Sequence, residues 1–125
     1  MQQVSSALSL SAMKLYKHHL IFAGLPFFIE YPTPMTVVNG SDIQLECLVG
    51  GEPPPMITWL KDFTVLNTTS EPGIQIEENG TLIIMDANFE DSGFYTCAAD
   101  NGFGINQVSV SVEVIPELTP NKTGW

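Results

Sequence analysis

The chain has 125 residues, which suits one domain that buries roughly two thirds of the surface exposed by its unfolded chain. All fourteen acidic residues lie between Glu30 and Glu117, where Lys61 is the only basic residue, so this segment carries a formal charge of −13. That charge repels nucleic acid and heparin-like polyanions, and the chain has no arginine to bind phosphate through paired hydrogen bonds. Its two cysteines are too few for a metal site built of several thiolates.

Residues 1–29 differ in composition from the rest of the chain, because they contain no acid but two lysines and both histidines. The stretch Lys14–His19, which holds these basic residues, precedes an apolar run, Leu20–Ile29, and the two together have the outline of a secretory signal. Pro26 interrupts this run. We therefore expect either a signal-like leader or an irregular tail over residues 1–29. A membrane span is not expected, because it needs roughly twenty consecutive apolar residues.

Alternation of apolar and polar residues predicts several half-buried strands. Residues 30–38 are expected to form an edge strand, where proline is tolerated because the outer N–H has no ladder partner. An Asn-Gly turn at residues 39–40 precedes the predicted strand Ser41–Val49. The same reasoning predicts a loop or short edge strand over residues 61–73 and further strands over residues 57–59, 74–76, 81–85, 95–99 and 107–114.

The stretch from Asp91 to Cys97 predicts a tight turn that leads into a strand, because Asp-Ser-Gly is turn chemistry and the following Tyr and Cys share one strand face. Cys47 and Trp59 precede it in the chain. The order Cys, Trp, Tyr-x-Cys resembles the immunoglobulin fold. Gly-x-Pro-x-Pro-x-Ile-x-Trp, ending at Trp59, and Asp-x-Gly-x-Tyr-x-Cys-x-Ala-x-Asn-x-x-Gly, starting at Asp91, are similar to its intermediate class, the I-set. The resemblance covers about residues 31–115.

The resemblance implies an all-β fold, a Greek-key sandwich of two antiparallel sheets over residues 30–116, followed by a linker-like tail at residues 117–125. It also implies an inter-sheet disulfide between Cys47 and Cys97, which would stabilise the domain by about 4 kcal/mol through closure of the intervening loop. A pair of buried free thiols, as in cytosolic relatives of the fold, is the alternative. The residues expected in the structural core are Trp59, Leu82, Asp91 and Tyr95.

The chain departs from the I-set pattern at one point. I-set domains often pair the Asp of Asp-x-Gly-x-Tyr with a basic residue near the fourth or fifth strand, but residues 73–84 contain neither Lys nor Arg. We therefore expect Asp91 to accept hydrogen bonds mainly from backbone N–H groups in its own turn.

The chain contains four Asn-x-Ser/Thr sequons, whereas its seven Asn and nineteen Ser or Thr residues would produce about one by chance. Two of them are also Asn-Gly pairs, which are favourable turn residues in their own right. The excess favours the secretory pathway. The candidate glycosylation sites are Asn39, Asn67, Asn79 and Asn121.

No catalytic site can be assembled from residues 30–117, which contain no histidine for a Ser-His-Asp or Cys-His arrangement. The adjacent carboxylates Glu77-Glu78 and Glu90-Asp91 would point to opposite faces of a strand and cannot act as an acid and base pair. Neither a cofactor nor a metal ion is predicted.

These features predict a non-catalytic extracellular or secreted module, or the ectodomain of a membrane protein, that recognises another protein in cell adhesion, as a receptor or in the matrix. The expected contact regions are residues 61–71 and 102–106, with Phe103 as the candidate contact, although Phe103 packing against a neighbouring loop is equally open. The tail at residues 117–125 fits a short isoform of a larger chain. The alternative function is an intracellular structural I-set module of a muscle or cytoskeletal protein.

Overall fold

The computed structural model describes residues 13–16, 19–22 and 24–118, so the predicted tail beyond Leu118, including Asn121, lies outside the described residues. The described chain consists almost entirely of strands and turns. In chain order the strands are β1 Met13–Tyr16, β2 His19–Phe22, β3 Phe27–Glu30, β4 Met35–Val38, β5 Ile43–Leu45, β6 Leu48–Gly50, β7 Met56–Lys61, β8 Thr64–Val65, β9 Ile74–Ile76, β10 Leu82–Ile84, β11 Gly93–Asp100 and β12 Ile105–Ile115.

Two layers of strands form the sandwich that the sequence predicted. The larger layer is a five-stranded sheet in the order β4-β12-β11-β7-β8. Its neighbouring strands are antiparallel except β4, which runs parallel to β12. The other layer contains the sheet β5-β10-β9 and the pair β3-β6. These two parts are continuous along the chain, because only Glu46 and Cys47 separate β5 from β6.

The core lies between the layers and is built from the inward side chains of both. Ile43, Leu45 and Cys47 are almost fully buried, in the alternation predicted for this part of the chain. Leu82 and Ile84 on β10 are buried in the same way. The remaining buried apolar residues of the core are Trp59, Ala87, Tyr95, Cys97, Ala99, Val110, Val112 and Val114.

A disulfide joins the two layers. It links Cys47, between β5 and β6, to Cys97 on β11, with the two Cα atoms 6.6 Å apart and a sequence separation of 50 residues. Trp59 is paired with Cys97 in the sheet, and its indole N–H donates a hydrogen bond to the carbonyl of Gly80 over 2.7 Å. The disulfide implied by the family resemblance is therefore confirmed, and neither cysteine is free.

The sandwich begins before the boundary predicted at residue 30. Strand β3 pairs antiparallel with β6, so residues 27–29 belong to the sheet and the predicted boundary falls inside a strand. Phe28 packs against the core, and Pro26 just before β3 is buried. The apolar run was interpreted as part of a leader because a signal segment and a buried strand share the same composition.

The predicted edge strand over residues 30–38 is divided between the two layers. β3 ends at Glu30, whereas β4 pairs with β12 in the opposite sheet. Pro32 and Pro34 lie between them and have no N–H with which to continue a ladder. The chain crosses from one layer to the other at this point, and β4 is an edge strand of the larger sheet.

Backbone pairing also occurs upstream of the sandwich. β1 and β2 form an antiparallel hairpin in which Met13 lies opposite Phe22. The remainder of the predicted leader before Gly24 lies outside the described residues, so its role as a secretory signal stays a prediction.

A tyrosine corner holds the turn before β11. The phenol of Tyr95 donates to the backbone carbonyl of Asp91 over 2.5 Å. The Asp91 carboxylate accepts from the backbone N–H of Asn88 over 2.9 Å, and the Asn88 side chain accepts from the N–H of Glu90 over 2.8 Å. These reciprocal bonds cap the 3-10 turn Phe89–Asp91, so Asp91 is held by a backbone donor.

Replacing Tyr95 by Phe is expected to lower the free energy of unfolding by about 1–3 kcal/mol, because the Asp91 carbonyl loses its donor while the ring still fills the core. Urea denaturation of the purified domain measures the change. Tyr31→Phe is the matched control, since Tyr31 is 60% exposed and keeps its ring. An unchanged denaturation midpoint for Tyr95→Phe would contradict the importance of the corner.

Candidate recognition surface

The loop between β11 and β12 contains the predicted contact residue Phe103. Asn101 organises this loop, because its side-chain oxygen accepts hydrogen bonds from the backbone N–H groups of Phe103 and Gly104 over 3.0 and 3.1 Å. The Asp100 carboxylate accepts from the N–H of Gly102 over 2.8 Å. Phe103 is 38% exposed on this well-bonded backbone.

The segment before β3 covers one side of the same loop. The side-chain amide of Asn101 donates to the carbonyl of Gly24 over 2.7 Å. The amide of Asn106 donates to the carbonyl of Pro26 over 3.1 Å. Part of the loop predicted as a contact region is therefore occupied by the chain's own N-terminal segment.

Close packing between Leu25 and Gly104 completes this contact. A Cβ built on Gly104 would lie 1.9 Å from a methyl carbon of Leu25, so a larger residue at this position would displace the Leu25 side chain. The Asn-x-x-Gly motif, Asn101 to Gly104, is recognisable in the sequence. The contact of this motif with Gly24 and Leu25 is not, because Gly24 lies 77 positions before Asn101 in the chain.

The second predicted contact region, residues 61–71, contains a two-residue turn and the short edge strand β8, which pairs with β7. Phe63 in the turn is 80% exposed and Val65 on β8 is 60% exposed. Phe94 lies on the outer face of the neighbouring strand β11, because it precedes the inward-facing Tyr95. These side chains form an apolar area at one edge of the five-stranded sheet.

The described sequon asparagines are all exposed, and they are Asn39, Asn67 and Asn79. The side-chain oxygen of Asn67 accepts hydrogen bonds from the backbone N–H and the hydroxyl of Thr69 over 3.0 and 2.6 Å. Asn79 accepts from the backbone N–H of Thr81 over 3.0 Å, and Thr81 itself is buried. The turns at Asn67 and Asn79 are thus organised by their asparagines, and the exposed amide is where a glycan would be attached.

Lys61 supplies a positive charge beside the tyrosine corner that sequence reasoning did not locate. Its ammonium group donates to the backbone carbonyl of Glu90 over 2.6 Å and lies 3.9 Å from the Asp62 carboxylate. Lys61 is on β7, directly paired with Tyr95 on β11. The family pattern places a basic residue near the fourth or fifth strand, whereas Lys61 reaches the corner from β7, the neighbour of β11 in the sheet.

The pKa of the Tyr95 phenol is raised, first by burial and then by the nearby carboxylates of Asp91, Asp62 and Glu71. The phenol therefore remains a neutral donor at physiological pH. An unfolded phenol titrates near pH 10, so the contribution of this group to stability is complete below that pH. It is lost as the pH rises towards the higher value of the folded state.

The described residues contain no group of three or more His, Cys, Asp or Glu side chains that would hold a metal ion. The Glu90-Asp91 pair serves the turn, since the Glu90 carbonyl binds Lys61 and the Asp91 carboxylate binds the Asn88 N–H. Within the described ranges, no helix has the length and apolar character needed to cross a membrane.

Comparison with known families agrees with this geometry. The family described as immunoglobulin I-set domain matches residues 26–114, which is more than half of the chain. The chain belongs to the immunoglobulin I-set family. The matched region begins at Pro26, just ahead of β3, and so includes the strand that the sequence had assigned to a leader. I-set domains are generally non-enzymatic.

This I-set chain is similar to short segments of much larger proteins. It is 35% identical to neogenin of Homo sapiens over 77% of this chain and 7% of neogenin. It is 38% identical to the vascular endothelial growth factor receptor kdr-like of Danio rerio over 74% of this chain and 7% of the receptor. It is also 38% identical to the peroxidasin homolog of Mus musculus over 77% of this chain and 6% of that protein. The chain thus spans a small fraction of the length of these relatives.

Solved structures with the same fold come from different settings. The N-terminal Ig1-2 module of the Drosophila receptor protein tyrosine phosphatase DLAR aligns with a TM-score of 0.69 and 29% identity, over 74% of this chain and 47% of that chain. The titin M10–obscurin-like 1 Ig complex aligns with a TM-score of 0.69 and 31% identity, over 75% of this chain and 97% of that chain.

Replacing Asn101 by Ala is expected to loosen the β11–β12 loop and the N-terminal segment together, because the side chain bonds both. A loss of about 1 kcal/mol would raise amide exchange at Phe103 and Gly104 roughly fivefold. Asn101→Asp keeps the acceptor oxygen but removes the donor, so exchange should rise only at Gly24. Hydrogen exchange read by NMR checks both variants.

Gln107→Ala, on the exposed face of β12, is the matched control. If Asn101→Asp and Asn101→Ala raise exchange in the loop equally, the oxygen of Asn101 does not hold the loop independently of the bond from its amide to Gly24.

Proposed function

We propose that this chain is a non-catalytic extracellular recognition module that binds another protein through its loops and one sheet face. The observation that supports this most directly is the placement of large aromatic side chains outside a cross-linked core. Phe63 and Phe103 are exposed on turns, while the Cys47–Cys97 disulfide holds the two sheets of the core together. Exposed apolar groups on a rigid scaffold are typical of protein-binding surfaces.

Three features support an extracellular setting. The Cys47–Cys97 disulfide is of a kind that persists in oxidising compartments and is rare in the cytosol. The described sequons present their asparagines on exposed turns, where a glycan does not disturb the core. The relatives are largely receptors and adhesion proteins, among them neogenin and a vascular endothelial growth factor receptor.

An intracellular structural module is the second candidate. It is favoured by the similarity to the titin M10–obscurin-like 1 Ig complex, which matches this chain about as well as the receptor module does. The disulfide and the excess of sequons favour the extracellular candidate instead.

The intact mass of material expressed in a secreting cell separates these two candidates. The exported protein is expected to lose mass on glycosidase treatment and, under denaturing conditions, to gain a pair of hydrogens on reduction. N-terminal sequencing is expected to show a start no later than Gly24, because the carbonyls of Gly24 and Pro26 accept hydrogen bonds from Asn101 in the β11–β12 loop and from Asn106 on β12. Unglycosylated, fully reduced protein that stays in the cell would favour the intracellular module.

Replacing Phe103 by Ala is expected to weaken partner binding about tenfold or more, since truncation of an aromatic anchor typically costs more than 1 kcal/mol. Binding of the multimerised domain to an array of recombinant ectodomains measures the loss. The melting temperature should change little, because the loop backbone is held by Asn101 and Asp100.

Phe89→Ala is the matched control, since Phe89 is 53% exposed in the 3-10 turn before β11. A large fall in the melting temperature of Phe103→Ala would assign this side chain to packing of the loop.

A further inference from the structure

An apolar surface lies on the outer face of the five-stranded sheet, next to the turn between β7 and β8. We call it the turn patch, and it consists of Leu60, Phe63, Val65 and Phe94. Leu60 and Val65 are paired across β7 and β8. Leu60 is also paired with Thr96, two residues after Phe94 on the same face of β11. Phe63, Val65 and Phe94 are 80, 60 and 55% exposed.

The backbone of the turn is unusual for the residue that it carries. Asp62 has φ of 48° and Phe63 has φ of 69°, the two positive values that a two-residue type I′ hairpin turn requires. Such turns favour Asn-Gly or Asp-Gly, and a bulky side chain at positive φ is an outlier. Phe63 therefore occupies a position suited to glycine, and it is the most exposed aromatic residue of the range 24–118. Neither the backbone preference of Phe63 nor its burial therefore gives this ring a role in stabilising the fold.

The turn is nevertheless held firmly against β11. The backbone N–H of Asp62 donates to the carbonyl of Phe94 over 2.7 Å, and the N–H of Phe94 donates to the Asp62 carboxylate over 3.0 Å. The hydroxyls of Thr96 and Ser109 bond each other over 2.7 Å and form a polar border beside the patch. An aromatic ring presented on a fixed turn loses little conformational entropy on binding.

Charge around the turn patch selects the chemistry of its occupant. The Asp62 side chain is 55% exposed, and the nearest base, Lys61, already donates to the carbonyl of Glu90. Residues 30–117 contain fourteen acidic residues and this single lysine. Two copies of the domain would therefore repel each other, because both carry a large negative charge. A Lys or Arg side chain, in contrast, can lay its stem over an aromatic ring and direct its charge to a carboxylate.

We propose that the turn patch is a docking site of this module, separate from the β11–β12 loop that carries Phe103, and that it takes a basic protein surface, with Lys or Arg side chains around a small apolar pocket. The Phe63 ring enters the pocket, Phe94 and Val65 exclude water from its edge, and Asp62 pairs with the basic rim. This inference rests on the proposed recognition function and adds the surface and the partner chemistry. Phe63 is present for binding, at a position where glycine would suit folding better.

Selection from a random-peptide display library against the full, glycosylated chain tests the proposal. The wild-type chain is expected to enrich peptides that combine Lys or Arg with a large apolar residue. These peptides should bind the Phe63→Gly variant about tenfold or more weakly, because the anchor is lost. The same variant should melt at an equal or higher temperature, because glycine is favoured at positive φ.

Two further variants sharpen the test. Asp62→Asn keeps the side-chain oxygen that accepts from Phe94 but removes the charge, so peptide binding should weaken and become less dependent on salt. Met56→Ser is the matched control, because Met56 is 77% exposed at the other end of β7 on the same sheet face. It should bind the selected peptides as the wild-type chain does.

Enrichment of acidic or uncharged peptides, or equal binding to Phe63→Gly, would overturn the assignment of the turn patch. Peptides that depend on Phe103 and ignore Phe63 would leave the recognition function intact and remove only this docking site. A wild-type chain that enriches no peptide above background would overturn both proposals together.

Discussion

The structure depends on the packing of Trp59 beside the disulfide. The Cys47–Cys97 bridge joins the two layers, and the Trp59 indole N–H reaches across to the carbonyl of Gly80, in the turn between β9 and β10. Gly80 has φ of 101°, and a Cβ on it would lie 2.4 Å from the carbonyl oxygen of Cys47. Only glycine fits at this position, so the turn can approach the disulfide closely. In this arrangement the buried indole N–H of Trp59 has its hydrogen-bond acceptor.

Folding and recognition use different parts of the molecule. The polar groups of the tyrosine corner are paired with one another, and Lys61 is directed to the carbonyl of Glu90. Among residues 24–118, the one ion pair is that of Lys61 with Asp62, so the other acidic side chains of this part of the chain produce a negative field that attracts basic molecules. The β11–β12 loop is covered on one side by its own N-terminal segment, whereas Phe63 is held out from the scaffold on a strained turn. A cross-linked core thus tolerates an aromatic ring held in an unfavourable, exposed position on this turn.

Local patterns account for the features that the sequence predicted. Period-two alternation identified the buried faces around Ile43 and Leu82, because side-chain direction in a strand is set by the backbone alone. The family motifs identified the disulfide, since they place two cysteines and a tryptophan at characteristic spacings. The boundary at residue 30 was wrong because an apolar run has the same composition in a leader and in a strand such as β3, and only pairing with β6 distinguishes them.

The sequence by itself determined the fold class and the acidic charge, both of which follow from residue types and short spacings. Only the tertiary structure decided which segments meet. The bond from Asn101 to Gly24 spans 77 residues and that from Lys61 to Glu90 spans 29, and no local pattern specifies such contacts. The positive φ of Phe63 likewise follows from the pairing of β7 with β8, because the register of a two-residue hairpin, and not the identity of the residue in it, sets the backbone of the turn.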